Sequence, residues 1–388
     1  MRKIMIMLLV LSFLAVNPAT VFAESAPIQL TDIAGHWAED AIKGAVQKGY
    51  VSGYPDDTFK PNQNVTRAEF IKMLVDALKL PKSVGGSPWY QGYVSAALEF
   101  DIHSTSDFTN YGEQISRLEM MRLAARSLAT QHAYSEYLAA FDNLYNGDIP
   151  FVDYRELTEK DVPYAALTVG AKVMSGYPDH SLGLKKRATR AEAVAIIENI
   201  LRQLNTSPDR MQYLQELKEI AETGTNTKAV SNLIPVLNVY EDPVTIEHAN
   251  YTVNIKRYYV LPIEASDTVS FYEKKFLWDR TKLEERFRTN KEYYVIAMVD
   301  LTPKKTGYHP DLFSPSLYAN PSVPFSDSII EEKYGLLYPH FWLATELKKD
   351  ETREVALYGR YDSTRFDVAV RANNAIGTPS ILLVKDKE

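Results

Sequence analysis

Cysteine is absent from all 388 residues. That excludes disulfides, thiolate metal sites and attachment through a lipidated cysteine. Long apolar runs are also missing, except for Ile4 to Val16, which is too short for a stable membrane span. With Arg2 and Lys3 before it and Val21-Phe22-Ala23 after it, that run reads as a secretory signal peptide over residues 1–23. Nor is there a surplus of positive charge. The 43 basic side chains face 50 acidic ones, and loss of Arg2 and Lys3 with a leader deepens the acidic excess. This balance argues against nucleic acid as a partner and lends nothing to binding an anionic membrane. Histidine is sparse: His248, His309 and His340 are scattered without metal-ligand spacing. No nucleophile elbow, phosphate loop or zinc-protease helix is present. The expectation is therefore no catalytic residue, no metal and no cofactor.

What the chain does contain is a repeated tetrapeptide. Thr66-Arg67-Ala68-Glu69, Ser116-Arg117-Leu118-Glu119 and Thr189-Arg190-Ala191-Glu192 each open a stretch of helically spaced apolar residues, such as Phe70, Leu74 and Leu78. Thr or Ser followed three residues later by Glu is a capping box, so Thr66, Glu69, Ser116, Glu119, Thr189 and Glu192 are read as helix caps. Each Arg falls at the first helical position, where the helix dipole mildly disfavours a cation. Three such arginines in register indicate positive charge gathered to hold an anion, which a helix N-terminus already favours. Repetition of this kind defines an architecture before anything else.

The surroundings repeat as well. Before the first copy, Asp32 to Ala38 leads into a helix with Ala38, Ile42 and Val46 on one face, ending at Gly49. A turn follows, Ser52-Gly53-Tyr54-Pro55-Asp56, and its counterpart is Ser175-Gly176-Tyr177-Pro178-Asp179. Gly53 precedes Arg67 by 14 positions, and Gly176 precedes Arg190 by the same 14. The second copy starts at Pro88-Trp89-Tyr90, lacks this turn and has Thr105 near the place of the glycine. The third copy has no Trp matching Trp37 or Trp89, and its first helix, near Tyr164 to Val173, looks short.

These segments resemble three S-layer homology modules, the family that docks bacterial surface proteins onto the cell wall. The resemblance covers about residues 28 to 203 and implies three modules arranged around a pseudo-threefold axis. It also implies grooves that hold an acidic, pyruvylated secondary cell-wall polysaccharide, with Arg67, Arg190 and Arg117 meeting the sugar carboxylate. Gly53 and Gly176 are then the turn glycines that let the ligand approach the backbone. From the residues themselves, Lys60, Lys185, Lys186 and Arg187 reinforce the positive potential, and Trp37 and Trp89 are candidates to stack on sugar rings. Asp32 and Asp153 precede their first helices and are read as Asx-turn or capping groups, not ligands.

The organisation expected is multi-domain, α then β: the signal peptide, modules over 24–81, 82–149 (divergent) and 150–204, and a helical, polar linker over 205–229. A C-terminal domain over 230–388 follows. In the linker, Leu214, Leu217 and Ala221 share one side of a charged helix, ahead of the polar run Glu222 to Lys228. Beyond Val230 helical spacing gives way to short β-branched and aromatic runs: Tyr251 to Ile255, Tyr293 to Val299, Glu354 to Tyr358, Phe366 to Val370 and Ser380 to Val384. Such spacing predicts an antiparallel β-sandwich, immunoglobulin-like. Lys274 to Arg288 reads as an insertion. The aromatics Tyr334, Tyr338, Phe341 and Trp342 suit a sandwich core or a contact surface, and Glu284-Glu285 and Glu331-Glu332 read as solvated charge.

With no second apolar segment and no C-terminal sorting signal read, the expectation is a secreted, noncatalytic protein held noncovalently at a Gram-positive cell wall. The competing class is a wall-active hydrolase with catalysis in the C-terminal half.

Overall fold

In the computed structural model residues 30–231 are described throughout. Beyond them the described stretches are 233–235, 238–241, 243–247, 251–262, 270–272, 275, 292–306, 315–317, 348–362, 367–372 and 380–385. The expected signal peptide, the three scattered histidines, the acidic pairs at 284–285 and 331–332 and the aromatics at 334–342 fall outside these. Among the described residues no helix is long and apolar enough to cross a membrane.

The helical part is built from three helix–loop–helix segments: α1 (Glu39–Lys48) with α2 (Arg67–Ala77), α3 (Gln91–Glu99) with α4 (Arg117–Ala129), and α6 (Val162–Gly170) with α7 (Arg190–Gln203). All three expected capping boxes are formed at α2, α4 and α7. Gly49 ends α1 in the left-handed region (φ 79°), as its position after the last apolar residue predicts. The first helix of the third copy is nine residues long, the same length as α3, so it is not truncated. Its Pro163 occupies the first turn, where the missing N–H costs nothing. Between α4 and α6 lie α5 (His132–Ala140) and four 3-10 turns, which periodicity alone did not reveal.

The segments close on one another cyclically. The second helix of each packs on the first helix of the next, in the pairs α2–α3, α4–α6 and α7–α1. At the centre Val65, Ile115 and Ala188, all fully buried, precede the three N-caps. Val65 N–H donates to Ala188 C=O, Ala188 N–H to Ile115 C=O and Ile115 N–H to Val65 C=O, each at 3.0 Å. Backbone amides of each motif then bond to the next segment's loop: Arg67 to Glu113, Arg117 to Lys186 and Arg190 to Gln63.

The region read as a linker is packed. After a 3-10 turn at Pro208–Arg210, α8 (Gln212–Thr223) buries Leu214, Leu217, Ile220 and Ala221. Gly170 lets α6 approach so closely that a Cβ there would lie 2.6 Å from Leu214. The polar run is not solvated either: Thr225, Asn226 and Thr227 are fully buried, the last in the short helix α9 (Thr227–Val230). Composition misled because these polar groups find partners in the tertiary structure, which is the condition for burying them.

The C-terminal part holds β1 (Leu233–Pro235), β2 (Thr245–Glu247), β3 (Tyr251–Pro262), β4 (Glu292–Pro303), β5 (Pro315–Leu317), β6 (Arg353–Asp362), β7 (Asp367–Ala372) and β8 (Ser380–Lys385). They form two four-stranded antiparallel sheets, ordered β1-β8-β7-β5 and β2-β3-β4-β6. The α-then-β order expected from sequence holds, and the strands outrun the predicted stretches. Within 274–288 only Lys275 is described. It is buried and donates to Gly147 C=O at 2.5 Å.

β2 covers β3 only at Thr252 to Asn254. Farther along, the supposed linker takes over that edge. Tyr258 N–H donates to Gly224 C=O at 3.0 Å, and the Asn226 amide both accepts from Val260 N–H (2.7 Å) and donates to Val260 C=O (3.0 Å). An open strand edge is thereby paired. Nearby, buried Asp148 accepts from Tyr259 Oη at 2.8 Å and lies 3.4 Å from Arg257 Nε. Arg257 Nη2 also donates to Asn143 C=O at 3.0 Å.

Glu216 of α8, fully buried, accepts from Ser270 Oγ (2.9 Å), Asn226 Nδ2 (3.2 Å), Gln212 Nε2 (3.2 Å) and the Phe271 amide (3.1 Å). Burial pushes its carboxyl up to about 7, outweighing these donors. The folded chain then holds a proton that the unfolded chain, at about 4.5, releases. Its contribution to stability is therefore full at low pH and falls as pH rises from about 4.5 through about 7. Thermal melts of wild type and Glu216→Gln between pH 4.5 and 8 should show this decline in the wild type and a flatter profile in the variant.

Candidate functional site

The three motif arginines are not equivalent. Arg67 reaches from α2 into the second segment, where Nη2 meets Glu119 Oε1 at 2.5 Å and Nη1 meets Glu113 Oε2 at 2.7 Å and Asn110 C=O at 2.9 Å. Its guanidinium lies 4.9 Å from the Phe108 ring centroid. Arg117 reaches into the third segment, to Glu192 Oε1 (3.2 Å), Leu182 C=O (2.8 Å) and Ser175 C=O (2.9 Å), over the Tyr177 ring. Arg190 reaches back into the first, to Phe59 C=O (2.9 Å) and Ser52 C=O (3.2 Å), against the Tyr54 and Phe59 rings.

Arg67 and Arg117 are thus neutralised internally, and the carboxylates that neutralise them include the capping glutamates of the following motif. Glu119 and Glu192 each cap with one oxygen and pair with the previous Arg through the other. By the same pattern Glu69 would serve Arg190. Its Oε2 accepts from Thr66 N–H at 2.7 Å, but among the described residues no carboxylate forms an ion pair with Arg190. Arg190 is only 8% exposed, so its charge is buried against carbonyl dipoles and aromatic faces alone.

The loops beneath Arg190 and Arg117 match. In the first, Tyr54 N–H donates to Thr58 C=O, and Asp32 accepts from the Phe59 and Lys60 amides, both at 2.7 Å. In the third, Tyr177 N–H donates to Ser181 C=O, and Asp153 accepts from the Leu182 and Gly183 amides, both at 2.8 Å. Asp32 and Asp153 thus brace loops, across some thirty residues and not as a local turn. A Cβ at Gly53 would lie 2.6 Å from Leu30, and one at Gly176 would lie 2.4 Å from Phe151. At Gly176 the Ser181 carbonyl would also lie only 2.8 Å away and leaves no room for a side chain, whereas at Gly53 the clash is with the tip of Leu30 and the Thr58 carbonyl stands at 3.1 Å.

Lys60 stands where the third loop has Gly183, and both are left-handed (φ 57° and 65°). Its ammonium sits 4.1 Å from the Tyr54 centroid and 3.4 Å from Asp56, so two cations, Lys60 and Arg190, flank one tyrosine. Lys186 lies likewise over Tyr177. Lys185 pairs with Glu156, and Arg187 donates to Gln114 C=O. Trp37 and Trp89 are 68% and 53% exposed, so neither serves the core.

The second loop is rebuilt. Buried His103 contacts Asp107 at 3.1 Å and Tyr111 Oη at 3.0 Å, and stacks on Phe108. Asp107 is held at about 2: burial works to raise it, and hydrogen bonds from His103, Ser104 and Arg126 more than reverse that. This network stands at the place of the missing Gly-Tyr-Pro-Asp sequence, and the backbone still turns there, with Asp107 N–H donating to Ser104 C=O at 2.9 Å. A cavity of about 600 Å³, lined by Leu138, Asp142, Glu159, Lys160 and Tyr164 among others, includes none of the motif arginines.

Residues 29–71 match the S-layer homology domain. Similar proteins include the amylopullulanase of Thermoanaerobacterium thermosulfurigenes, 28% identical over 196 residues, which is 47% of this chain and 10% of that protein. The cellulosome-anchoring protein of Acetivibrio thermocellus is 47% identical over 51 residues, 13% of this chain and 11% of its own length. The S-layer protein sap of Bacillus anthracis is 26% identical over 253 residues, 62% of this chain and 29% of its own length. The chain spans less than a third of each of these relatives.

Because Gly183 replaces Lys60 in the matching loop, Lys60→Gly should leave thermal stability within about 1 kcal/mol of wild type. If Lys60 supplies useful charge, the same variant should bind purified wall material a few-fold more weakly in a sedimentation assay; unchanged retention would remove Lys60 from the site.

Proposed function

We propose that this protein is exported and attached noncovalently to the bacterial cell wall through three S-layer homology modules. In this reading they stand about a pseudo-threefold axis and bind an acidic, pyruvylated secondary polysaccharide. The C-terminal sheets then form the displayed part, a sandwich of immunoglobulin type. One observation carries the reading: Arg190, a buried guanidinium with carbonyl and aromatic partners but no carboxylate among the described residues. A buried cation is costly without a counter-charge, and a planar fork accepts a carboxylate bidentately. A ketal carboxylate entering beside Tyr54 and Lys60 supplies what Glu119 and Glu192 supply to the other two arginines. Arg67 and Arg117 act mainly as structural clasps between modules, with the glycan engaged chiefly at the cleft of Arg190.

The protein does no chemistry in this reading. The stretch shared with the amylopullulanase is a tenth of that enzyme, so its activity does not transfer with the match.

Retention of the full chain on purified wall, with and without pyruvylated glycan, tests the mechanism; equal retention overturns it. Arg190→Ala should weaken retention about tenfold or more while the helical circular dichroism persists. Arg67→Ala should instead destabilise the fold by about 3 kcal/mol, because it strands Glu119 in a largely buried setting, measured by denaturant titration. Incubation of the full chain with labelled wall should release no soluble fragments; release would assign hydrolysis to the protein.

A further inference from the structure

Three residues before each cap serine or threonine stands a residue whose carbonyl accepts from the amide of an arriving arginine. Gln63, Glu113 and Lys186 hold this place, and they accept from Arg190, Arg67 and Arg117 N–H respectively. The backbone contact is the same in all three clefts, while the side chain is neutral, acidic and basic in turn. The arginines differ in the same order. Among the described residues Arg190 forms no ion pair, Arg67 forms two and Arg117 forms one.

The acidic case explains itself, because Glu113 is one of the two partners of Arg67. The other two clefts need a reason, since both hold a capping glutamate and the same turn. In the third, Glu192 Oε1 takes two donors at once, Tyr177 Oη at 2.7 Å and Arg117 Nη1 at 3.2 Å. Nε and Nη2 of Arg117 go to Leu182 and Ser175 C=O, and those of Arg190 go to the corresponding carbonyls of Phe59 and Ser52. Nη1 is the donor that remains. On Arg190, a buried residue, it has no hydrogen-bond partner among the described residues.

Glu69 Oε2 caps its helix as Glu192 Oε2 does, but Glu69 Oε1 engages no donor among the described residues. Tyr54 Oη is directed to Gln63 Oε1 instead, a long contact of 3.4 Å. Lys186 carries no acceptor and cannot draw Tyr177 away in this manner. Its ammonium lies over the Tyr177 ring, 3.8 Å from the centroid. With one donor on offer and not two, the cost of moving the free oxygen of Glu69 out of water onto Arg190 is not offset.

We propose that Gln63 is a positioning residue: it holds the Tyr54 hydroxyl away from Glu69 and so keeps the Arg190 fork open to an outside carboxylate. Lys186, at the same place, lets Tyr177 latch Glu192 onto Arg117, which closes the third cleft with a carboxylate of its own. The inference rests on the reading of Arg190 as the glycan site, and it traces the choice of cleft to the residue beside each arginine.

Gln63→Lys tests it, because the added cation and the latch act in opposite directions. Charge alone strengthens binding of an acidic glycan, whereas the latch weakens it. In titration calorimetry of the full chain with purified pyruvylated wall glycan, Gln63→Lys should bind about tenfold more weakly than wild type. Adding Glu69→Gln, which keeps a capping box, should restore binding to that variant. Equal or tighter binding by Gln63→Lys, or no restoration, overturns the proposal. A second arm needs no ligand: in denaturant titration Glu69→Gln should lower the midpoint of Gln63→Lys more than that of wild type, because only there does Glu69 meet Arg190. An equal shift in both backgrounds overturns the proposal. Failure of wild type to bind the glycan would instead defeat the reading of Arg190, with this second arm still deciding the role of Gln63.

Discussion

Three backbone hydrogen bonds, from Val65 to Ala188 to Ile115 and back to Val65, hold the helical part together at its centre. The three repeated arginines are positioned by them. They fix the three N-caps side by side, and this sends each following arginine into the neighbouring segment and not into its own. Because the residues are fully buried, the bonds are shielded from competing water and the amides have no other partner to choose.

On that frame charge is distributed unevenly. A capping glutamate has two oxygens; one satisfies the helix start and the other is free to neutralise an incoming guanidinium. Two clasps are completed this way and one is left without its acid. The second loop shows the complementary change, in which a His–Asp–Tyr network and a surface strip of rings stand where the other loops have the Gly-Tyr-Pro-Asp sequence. Among the described residues the three clefts therefore differ: one is short of negative charge, one is balanced, and one is rich in aromatic surface.

Local signals were legible before the fold was known. The capping boxes of α2, α4 and α7, the end of α1 at Gly49 and the antiparallel strands after Val230 follow from periodicity and cap chemistry, which act within a few residues. The contacts between segments were not legible, because they span long separations. That Arg67 belongs to Glu119, or that Thr225, Asn226 and Thr227 line the flank of β3, depends on which surfaces meet. The repeated tyrosine of the Gly-Tyr-Pro-Asp turn was the available hint: Tyr54 and Tyr177 each sit under the arginine arriving from another motif.

Repeat proteins that stack in a line have two ends, and each end needs a specialised unit to shield the exposed interface. Here the last motif returns to the first, through Arg190 N–H to Gln63 C=O and α7 against α1. Among the described residues no end of this ring is left without a neighbouring segment, so such a ring tolerates divergence in any one member. It cannot, however, be lengthened by duplicating a unit, since a fourth copy would have no seat.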